Sequence, residues 1–111
     1  MDMVDSVKRF DVFWVNLDPT LGNEIKKTRP AVVISPDEMN KYLGTVIIAP
    51  LTSSVRNYPT RVNHTFQKKN GQIVLDQIRA IDKQRLVSKM GAISSKAAEK
   101  LCTLLNEMFG Y

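Results

Sequence analysis

The feature that most constrains the fold is a series of short apolar segments rich in β-branched and aromatic residues. Such segments are typical of β-strands, and the turn-forming residues between them keep each strand short. The predicted strands cover residues 10–17, 31–35, 45–51, 60–65, 72–75 with a continuation at 78–82, and 87–93. Because 111 residues provide room for one core, we expect a single domain over residues 1–111. About six short strands in such a chain predict a small, closed, strongly bent β-barrel.

Two helices complete the predicted fold and make it mainly β with α, an α+β class. Ser35, Pro36 and Glu38 indicate a helix start in which Ser35 is the N-cap and Glu38 closes a capping box. From about residue 96 to 109, apolar residues recur at intervals of three and four. This spacing predicts a longer C-terminal helix whose apolar face packs on the barrel or on a partner chain.

Two local signals refine the strand prediction. The Asn70-Gly71 pair is the strongest turn signal in the chain, so we expect a tight turn there. Pro50 lies near the end of the third predicted strand, and it indicates an edge position or a bulge because proline has no N–H to donate.

Cysteine and histidine counts limit the chemistry. Cys102 is the only cysteine, so we expect neither an intrachain disulfide nor a cysteine-based metal site. His64 is the only histidine, which excludes a paired-histidine ribonuclease mechanism. We expect His64 to be an ordinary surface residue, and we expect no metal and no cofactor.

The net charge indicates the kind of partner, and the first ten residues indicate the location of the protein. The formal net charge of +5 favours polyanionic partners such as nucleic acids. Residues 1–10 are charged and lack the apolar segment of a signal peptide, and no apolar run reaches the length of a membrane span. We therefore expect a cytoplasmic protein with no membrane partner.

The loop at residues 18–30 lies between the first two predicted strands and carries Glu24 and three cations. Pro30 biases Arg29 toward an extended backbone at the entrance of a strand. A guanidinium fixed there suits the recognition of a phosphate group. A solvated charged loop is the alternative interpretation of the same residues.

Two further polar clusters follow predicted strands, where a small barrel can bring strand ends to one rim. They are Thr52-Ser53-Ser54 and Asp76-Gln77 with Arg79. Strand-end hydroxyls can donate to a phosphate, and carboxylates and amides can read base edges, but Ser and Thr also form turns with their own backbone. Asp76 is alternatively one half of a structural ion pair with Arg79 or Lys83. Trp14, Tyr42 and Tyr58 are candidate stacking surfaces, although we expect Trp14 in the core.

Four blocks, in order along the chain, resemble the MazF/PemK family of toxins from bacterial toxin–antitoxin pairs. They are WVNLDPTLGNE at 14–24, TRPAVVISP at 28–36, APLTSS at 49–54 and VLDQIRAIDKQRL at 74–86. The resemblance implies an SH3-like β-barrel with a C-terminal helix that acts as a homodimer. It also implies a metal-independent endoribonuclease that cuts single-stranded RNA at a short sequence, and a cognate antitoxin of the MazE/PemI type.

The same resemblance assigns roles by position. Arg29 and Thr52 match the two residues that the family uses at the scissile phosphate. Glu24, Ser53, Asp76 and Gln77 match positions that line the RNA groove of the family. Asn40, Ser54 and Arg79 are further candidate RNA-binding residues. The sequence has Val74 where some members carry an arginine, so a catalytic scheme resting on that arginine cannot apply.

The residue content favours attack by the RNA's own 2′-hydroxyl on the adjacent phosphorus. The products would be a 2′,3′-cyclic phosphate and a 5′-hydroxyl, with Arg29 stabilising the negative charge that develops. Either Glu24 or Asp76 could take the 2′-hydroxyl proton. Two other functions remain open, namely a gyrase poison of the CcdB type and an RNA-binding barrel without catalysis.

Overall fold

A computed structural model describes residues 7–17 and 28–111. Seven strands and two helices are present in this part of the chain, together with single 3-10 turns at Leu75–Gln77 and Lys83–Arg85. In chain order they are β1 (Asp11–Asn16), β2 (Thr28–Val33), α1 (Asp37–Tyr42), β3 (Thr45–Thr52), β4 (Arg61–Phe66), β5 (Lys69–Val74), β6 (Arg79–Asp82), β7 (Leu86–Ala92) and α2 (Ser95–Phe109). The predicted mainly β fold with a short helix and a C-terminal helix is confirmed.

The strands form one antiparallel sheet that curls into a half-barrel. The spatial order is β4-β5-β3-β2-β1-β7, and β6 also pairs with β3. At the two ends of this order, the side-chain amide of Gln67 donates to the Met90 carbonyl oxygen at 3.1 Å. The curled sheet therefore brings the ends of β4 and β7 together on one side of the molecule.

Strand β3 pairs with three other strands, and along one edge its partner changes. One of its edges pairs with β2, and the other pairs first with β6 through residues 45–48 and then with β5 through Leu51 and Thr52. Pro50 lies in a central strand, so the predicted edge position is wrong. It falls in the interval between the β6 and β5 pairings, where a missing N–H is tolerated.

Two buried apolar clusters form the core on opposite faces of the sheet. Along β1, Val12 belongs to one cluster while Phe13 and Val15 belong to the other, as expected for side chains that alternate across a strand. Helix α2 covers the first cluster through Ala97 and Leu101. The side chain of Ser94 caps this helix by accepting a hydrogen bond from the Ala97 N–H at 3.1 Å, which is a standard N-cap contact.

The predicted capping box of the first helix is wrong. Pro36 occupies the N-cap position, and no side chain caps the helix. Ser35 is buried instead, and its hydroxyl accepts from the Ile47 N–H at 3.0 Å and donates to the Asn40 side chain. The hydroxyl is therefore used to join helix α1 to strand β3.

The predicted Asn70-Gly71 turn is also wrong. The turn between β4 and β5 is formed by Gln67 and Lys68, whose φ angles are +51° and +65°, the signature of a type I′ hairpin. Asn70 and Gly71 lie inside β5, where they pair with Thr65 and His64. The glycine serves a close approach between strands: a Cβ there would stand 2.4 Å from the Thr52 carbonyl oxygen.

Candidate active site

A cavity of about 360 Å³ opens on the side of the half-barrel where β1, β2, β3 and the β4–β5 hairpin converge. Trp14 follows Val12 at a spacing of two on β1, so the cavity lies on the sheet face that carries the first core cluster. The cavity brings together three of the predicted site residues, Arg29, Thr52 and Ser53. Arg29 lies on β2 and Thr52 on β3, its neighbour in the sheet, and Ser53 directly follows Thr52.

Arg29 is held at this cavity by the adjoining strand. It pairs with Val15 of β1, and its Nη1 donates to the Leu51 carbonyl oxygen at 3.3 Å. Burial lowers the pKa of the Arg29 guanidinium from its usual value, because a desolvated cation is disfavoured. A partly desolvated guanidinium next to the end of β3 is well placed to stabilise an anion.

Thr52 ends strand β3 one residue beyond the carbonyl that Arg29 contacts. Its Oγ1 accepts a hydrogen bond from the Ser54 N–H at 3.1 Å. As an acceptor, the Thr52 hydroxyl therefore bonds nearby backbone, which was the alternative interpretation. A threonine hydroxyl also has one proton to donate, so Thr52 remains able to donate to a phosphate oxygen. Ser54 is exposed and does not line the cavity.

The structure does not bring Asp76, Gln77 and Arg79 to this cavity. Arg79 pairs with Ile48, at the opposite half of β3 from Thr52. Arg79 and Thr52 are separated because β6 pairs with one part of the β3 edge and β5 pairs with another part.

Asp76 is part of a different cluster. Its Oδ1 accepts from the Thr60 hydroxyl and from Arg61 Nε, both at 3.0 Å, and the Arg61 guanidinium also lies 5.1 Å from the Tyr58 ring centroid. The predicted ion pair with Arg79 or Lys83 is wrong, since the partner is Arg61. Burial alone would raise the pKa of Asp76, but the hydrogen bonds from Arg61 and Thr60 outweigh it and lower this pKa.

Of the two remaining predicted residues, Asn40 lies away from the cavity. Asn40 is buried, and its side-chain amide donates to the Ser35 carbonyl oxygen at 2.9 Å. Lys83 donates to the main-chain carbonyl of Asn40. The side chain of Asn40 therefore joins elements of the fold and is not among the cavity residues. Glu24 lies outside the described residues.

Sequence reasoning misplaced two cavity residues, Trp14 and His64. Trp14 is 38% exposed rather than buried in the core, and it forms part of the cavity wall. His64 is half-buried rather than on the open surface, and both of its ring nitrogens are buried with no hydrogen-bond partner in the described part of the chain. The signal was available in β4, where Val62, His64 and Phe66 recur at intervals of two and share one sheet face.

Within residues 7–17 and 28–111, no three histidine, cysteine, aspartate or glutamate side chains form a group that could hold a metal ion. In the same ranges, no helix combines the length and the apolar character that crossing a membrane requires.

Comparisons with known proteins agree with this architecture. Residues 8–109 match the family model of PemK-like, MazF-like toxins of type II toxin–antitoxin systems. The endoribonuclease toxin MazF of Escherichia coli K12 is 32% identical over 101 residues, covering 90% of this chain and 91% of that protein. Endoribonuclease EndoA of Bacillus subtilis 168 is 35% identical over 101 residues, covering 86% and 87%.

Solved structures share the fold. MazF from Deinococcus radiodurans superposes with a TM-score of 0.81 at 24% identity, covering 95% of this chain and 97% of that one. An endoribonuclease in complex with its cognate antitoxin, from a mycobacterial species, gives a TM-score of 0.80 at 22% identity, with 95% and 96% covered. The chain therefore belongs to the family of PemK-like, MazF-like toxins of type II toxin–antitoxin systems.

Proposed function

We propose that this protein is the endoribonuclease toxin of a toxin–antitoxin pair, and that it cuts single-stranded RNA at a short sequence without a metal ion. The observation that carries the proposal is that Arg29 and Thr52 line the same cavity. Relatives that align with most of the chain are named endoribonucleases, and the net charge of +5 favours a polyanionic substrate.

In the proposed reaction the 2′-hydroxyl of one nucleotide attacks the adjacent phosphorus. The bond from phosphorus to the 5′-oxygen breaks, which leaves a 2′,3′-cyclic phosphate and a 5′-hydroxyl. Arg29 stabilises the extra negative charge of the pentacoordinate phosphorus, and the Thr52 hydroxyl donates to a non-bridging oxygen. The guanidinium stays protonated at neutral pH, so its role is electrostatic.

The identity of the proton acceptor for the 2′-hydroxyl was open between Glu24 and Asp76. The carboxylate of Asp76 is engaged by Arg61 and Thr60, and its lowered pKa makes it a weaker base. We therefore give Asp76 a structural role and leave Glu24 as the candidate base.

Partners follow from the same proposal. We propose a homodimer that works in the cytoplasm and is inhibited by a cognate antitoxin. Among the structural neighbours is an endoribonuclease solved with its cognate antitoxin, which supports such a partner. An acidic antitoxin segment would complement the basic charge of this chain.

The test is incubation with a long single-stranded RNA in excess EDTA, with Arg29→Ala alongside. We expect discrete fragments with 5′-hydroxyl ends from the wild type, and a rate at least about 100-fold lower from Arg29→Ala. Arg56→Ala is the matched control, because Arg56 is exposed and does not line the cavity. RNA left intact by a folded wild-type protein would exclude the proposed activity and direct attention to gyrase cleavage complexes or to RNA binding alone.

A further inference from the structure

His64 reaches toward the candidate active site across a residue that has no side chain. It pairs with Gly71 of β5, and a Cβ at Gly71 would lie 3.6 Å from His64 Nε2 on one side and 2.4 Å from the Thr52 carbonyl oxygen on the other. The imidazole and the end of β3 therefore flank the same glycine. His64 also lines the cavity that Arg29 and Thr52 line.

The ring nitrogens of His64 are polar atoms in an environment that destabilises them. Both are buried, and neither has a hydrogen-bond partner among the residues that the structure describes. An imidazole always carries at least one N–H, and a buried donor or acceptor left unpaired destabilises the folded state. Neighbouring polar groups on the same hairpin are paired: Gln72 donates to Asn63 Oδ1 at 2.8 Å. Within residues 7–17 and 28–111, the fold therefore gives the ring nitrogens of His64 no hydrogen-bond partner.

The surroundings of the ring fit a flat, partly apolar ligand. Trp14, Phe66 and Met90 contribute apolar walls to the cavity, and aromatic walls stack on nucleobases of any sequence. The volume of about 360 Å³ is ample for one base. A neutral imidazole presents one donor and one acceptor, which is the kind of pattern that nucleobase edges carry. Burial lowers the pKa of His64, so the neutral form prevails at pH 7.

We infer that His64 is a specificity-determining residue, whose ring nitrogens hydrogen-bond the edge of a nucleobase held beside the scissile phosphate. The inference rests on the proposed RNA cleavage and adds the group that reads one nucleotide position. Trp14 and Phe66 hold the base by its faces, while His64 distinguishes it by its edge. Arg29 and Thr52 act on the phosphate, which is the same in every nucleotide.

The experiment maps cut sites in a long RNA of mixed sequence by sequencing the 5′ ends of the fragments. His64→Phe keeps an aromatic ring but removes both nitrogens, and Thr65→Val is the control because residue 65 points to the opposite face of β4. We expect the wild type and Thr65→Val to demand the same base at one position next to the cut. His64→Phe should relax that demand by about tenfold or more in relative rate while other positions keep their preference.

Each outcome decides the inference. If His64→Phe keeps every wild-type preference, or loses rate equally on all sequences as a catalytic base would, the inference is wrong. His64→Gln is the second variant should His64→Phe fail to fold, since its amide offers a donor and an acceptor at different positions and should change the preferred base. An unchanged preference in a folded His64→Gln also overturns the inference. RNA left intact by the wild type would instead remove the proposed function, and the inference with it.

Discussion

Gly71 and Thr52 approach each other so closely that a Cβ on Gly71 would stand 2.4 Å from the Thr52 carbonyl oxygen. Real Cβ atoms essentially never come so near to a backbone oxygen. Strand β5 can pair with the end of β3 here only because position 71 has no side chain. The placement of Thr52 in the cavity therefore depends on the absence of a side chain at position 71.

The first prediction is that Gly71→Ala loses both stability and RNA cleavage. The new methyl group must push the backbone of Thr52 away, so we expect the free energy of unfolding to fall by about 2 kcal/mol or more. Urea denaturation and the cleavage rate measure the two effects. Gly44→Ala is the control, because a Cβ there meets nothing within 4 Å. A Gly71→Ala protein with wild-type stability would show that the strands separate at little cost.

The errors of sequence reasoning have the same physical origin as this contact. The strands and the C-terminal helix could be predicted because they depend on local periodicity and on capping by Ser94. Asn70-Gly71 was assigned to a turn because the local signal cannot reveal that β3 approaches position 71 from outside the hairpin. The prediction of an edge position or a bulge at Pro50 has a similar origin, since the change of partner along β3 is a tertiary property.

The candidate site could be predicted only in part, because its composition depends on which strand ends meet. Arg29 and Thr52 were singled out from strand ends and from the family resemblance, and the structure brings them to one cavity. Gln77 and Arg79 were grouped with them, but β6 pairs with the first half of β3 and so holds Arg79 away from Thr52. Which strand ends share a rim depends on register, and register was not predicted.

The second prediction concerns the Thr52 hydroxyl. Thr52→Val keeps the volume and the β-branch but removes both the acceptor for the Ser54 N–H and the proposed donor to phosphate. We expect a cleavage rate lower by about 100-fold and a loss of about 1 kcal/mol in stability. Thr52→Ser, which retains the hydroxyl, should stay within a few-fold of the wild type. Equal rates for the valine and serine variants would exclude a role for the hydroxyl.

The third prediction uses Trp14 as a reporter. It is the only tryptophan in the chain and it lines the cavity, so its fluorescence should change when RNA enters. The ligand is an RNA with a 2′-deoxy nucleotide at the mapped cut site, which cannot undergo the proposed attack. Trp14→Ala should weaken binding by about tenfold, the loss of one stacked base.

The salt dependence of binding separates the contribution of base stacking from that of charge. Because Trp14→Ala has no tryptophan, its binding is measured by fluorescence anisotropy of a labelled RNA. Trp14→Ala removes no charge, so the slope of log affinity against log salt should stay at the wild-type value, whereas Arg29→Ala should make it shallower. Val87→Ala is the control, because Val87 is exposed on β7 and is not a cavity residue. Fluorescence unaffected by bound RNA would place the RNA elsewhere on the protein.

The fourth prediction is a pH dependence of stability that originates in His64. Burial lowers the pKa of His64 in the folded protein below its ordinary 6.5, so between the two values the unfolded chain binds more protons than the folded one. The free energy of unfolding should therefore be unaffected by His64 above about pH 6.5 and should fall as the pH drops from there toward the folded-state pKa. Because His64 is the only histidine, a single substitution removes the effect.

His64→Phe is the variant that tests this dependence, with urea denaturation at pH 7.5, 6.0 and 5.0. At pH 7.5 it should be at least as stable as the wild type, because it retains a ring while removing two buried atoms that have no partner among the described residues. Between pH 7.5 and 5.0 the wild type should lose more stability than the variant. Parallel pH curves would show that the imidazole titrates alike in both states, and a large loss of stability at pH 7.5 would show that its nitrogens contribute to the fold.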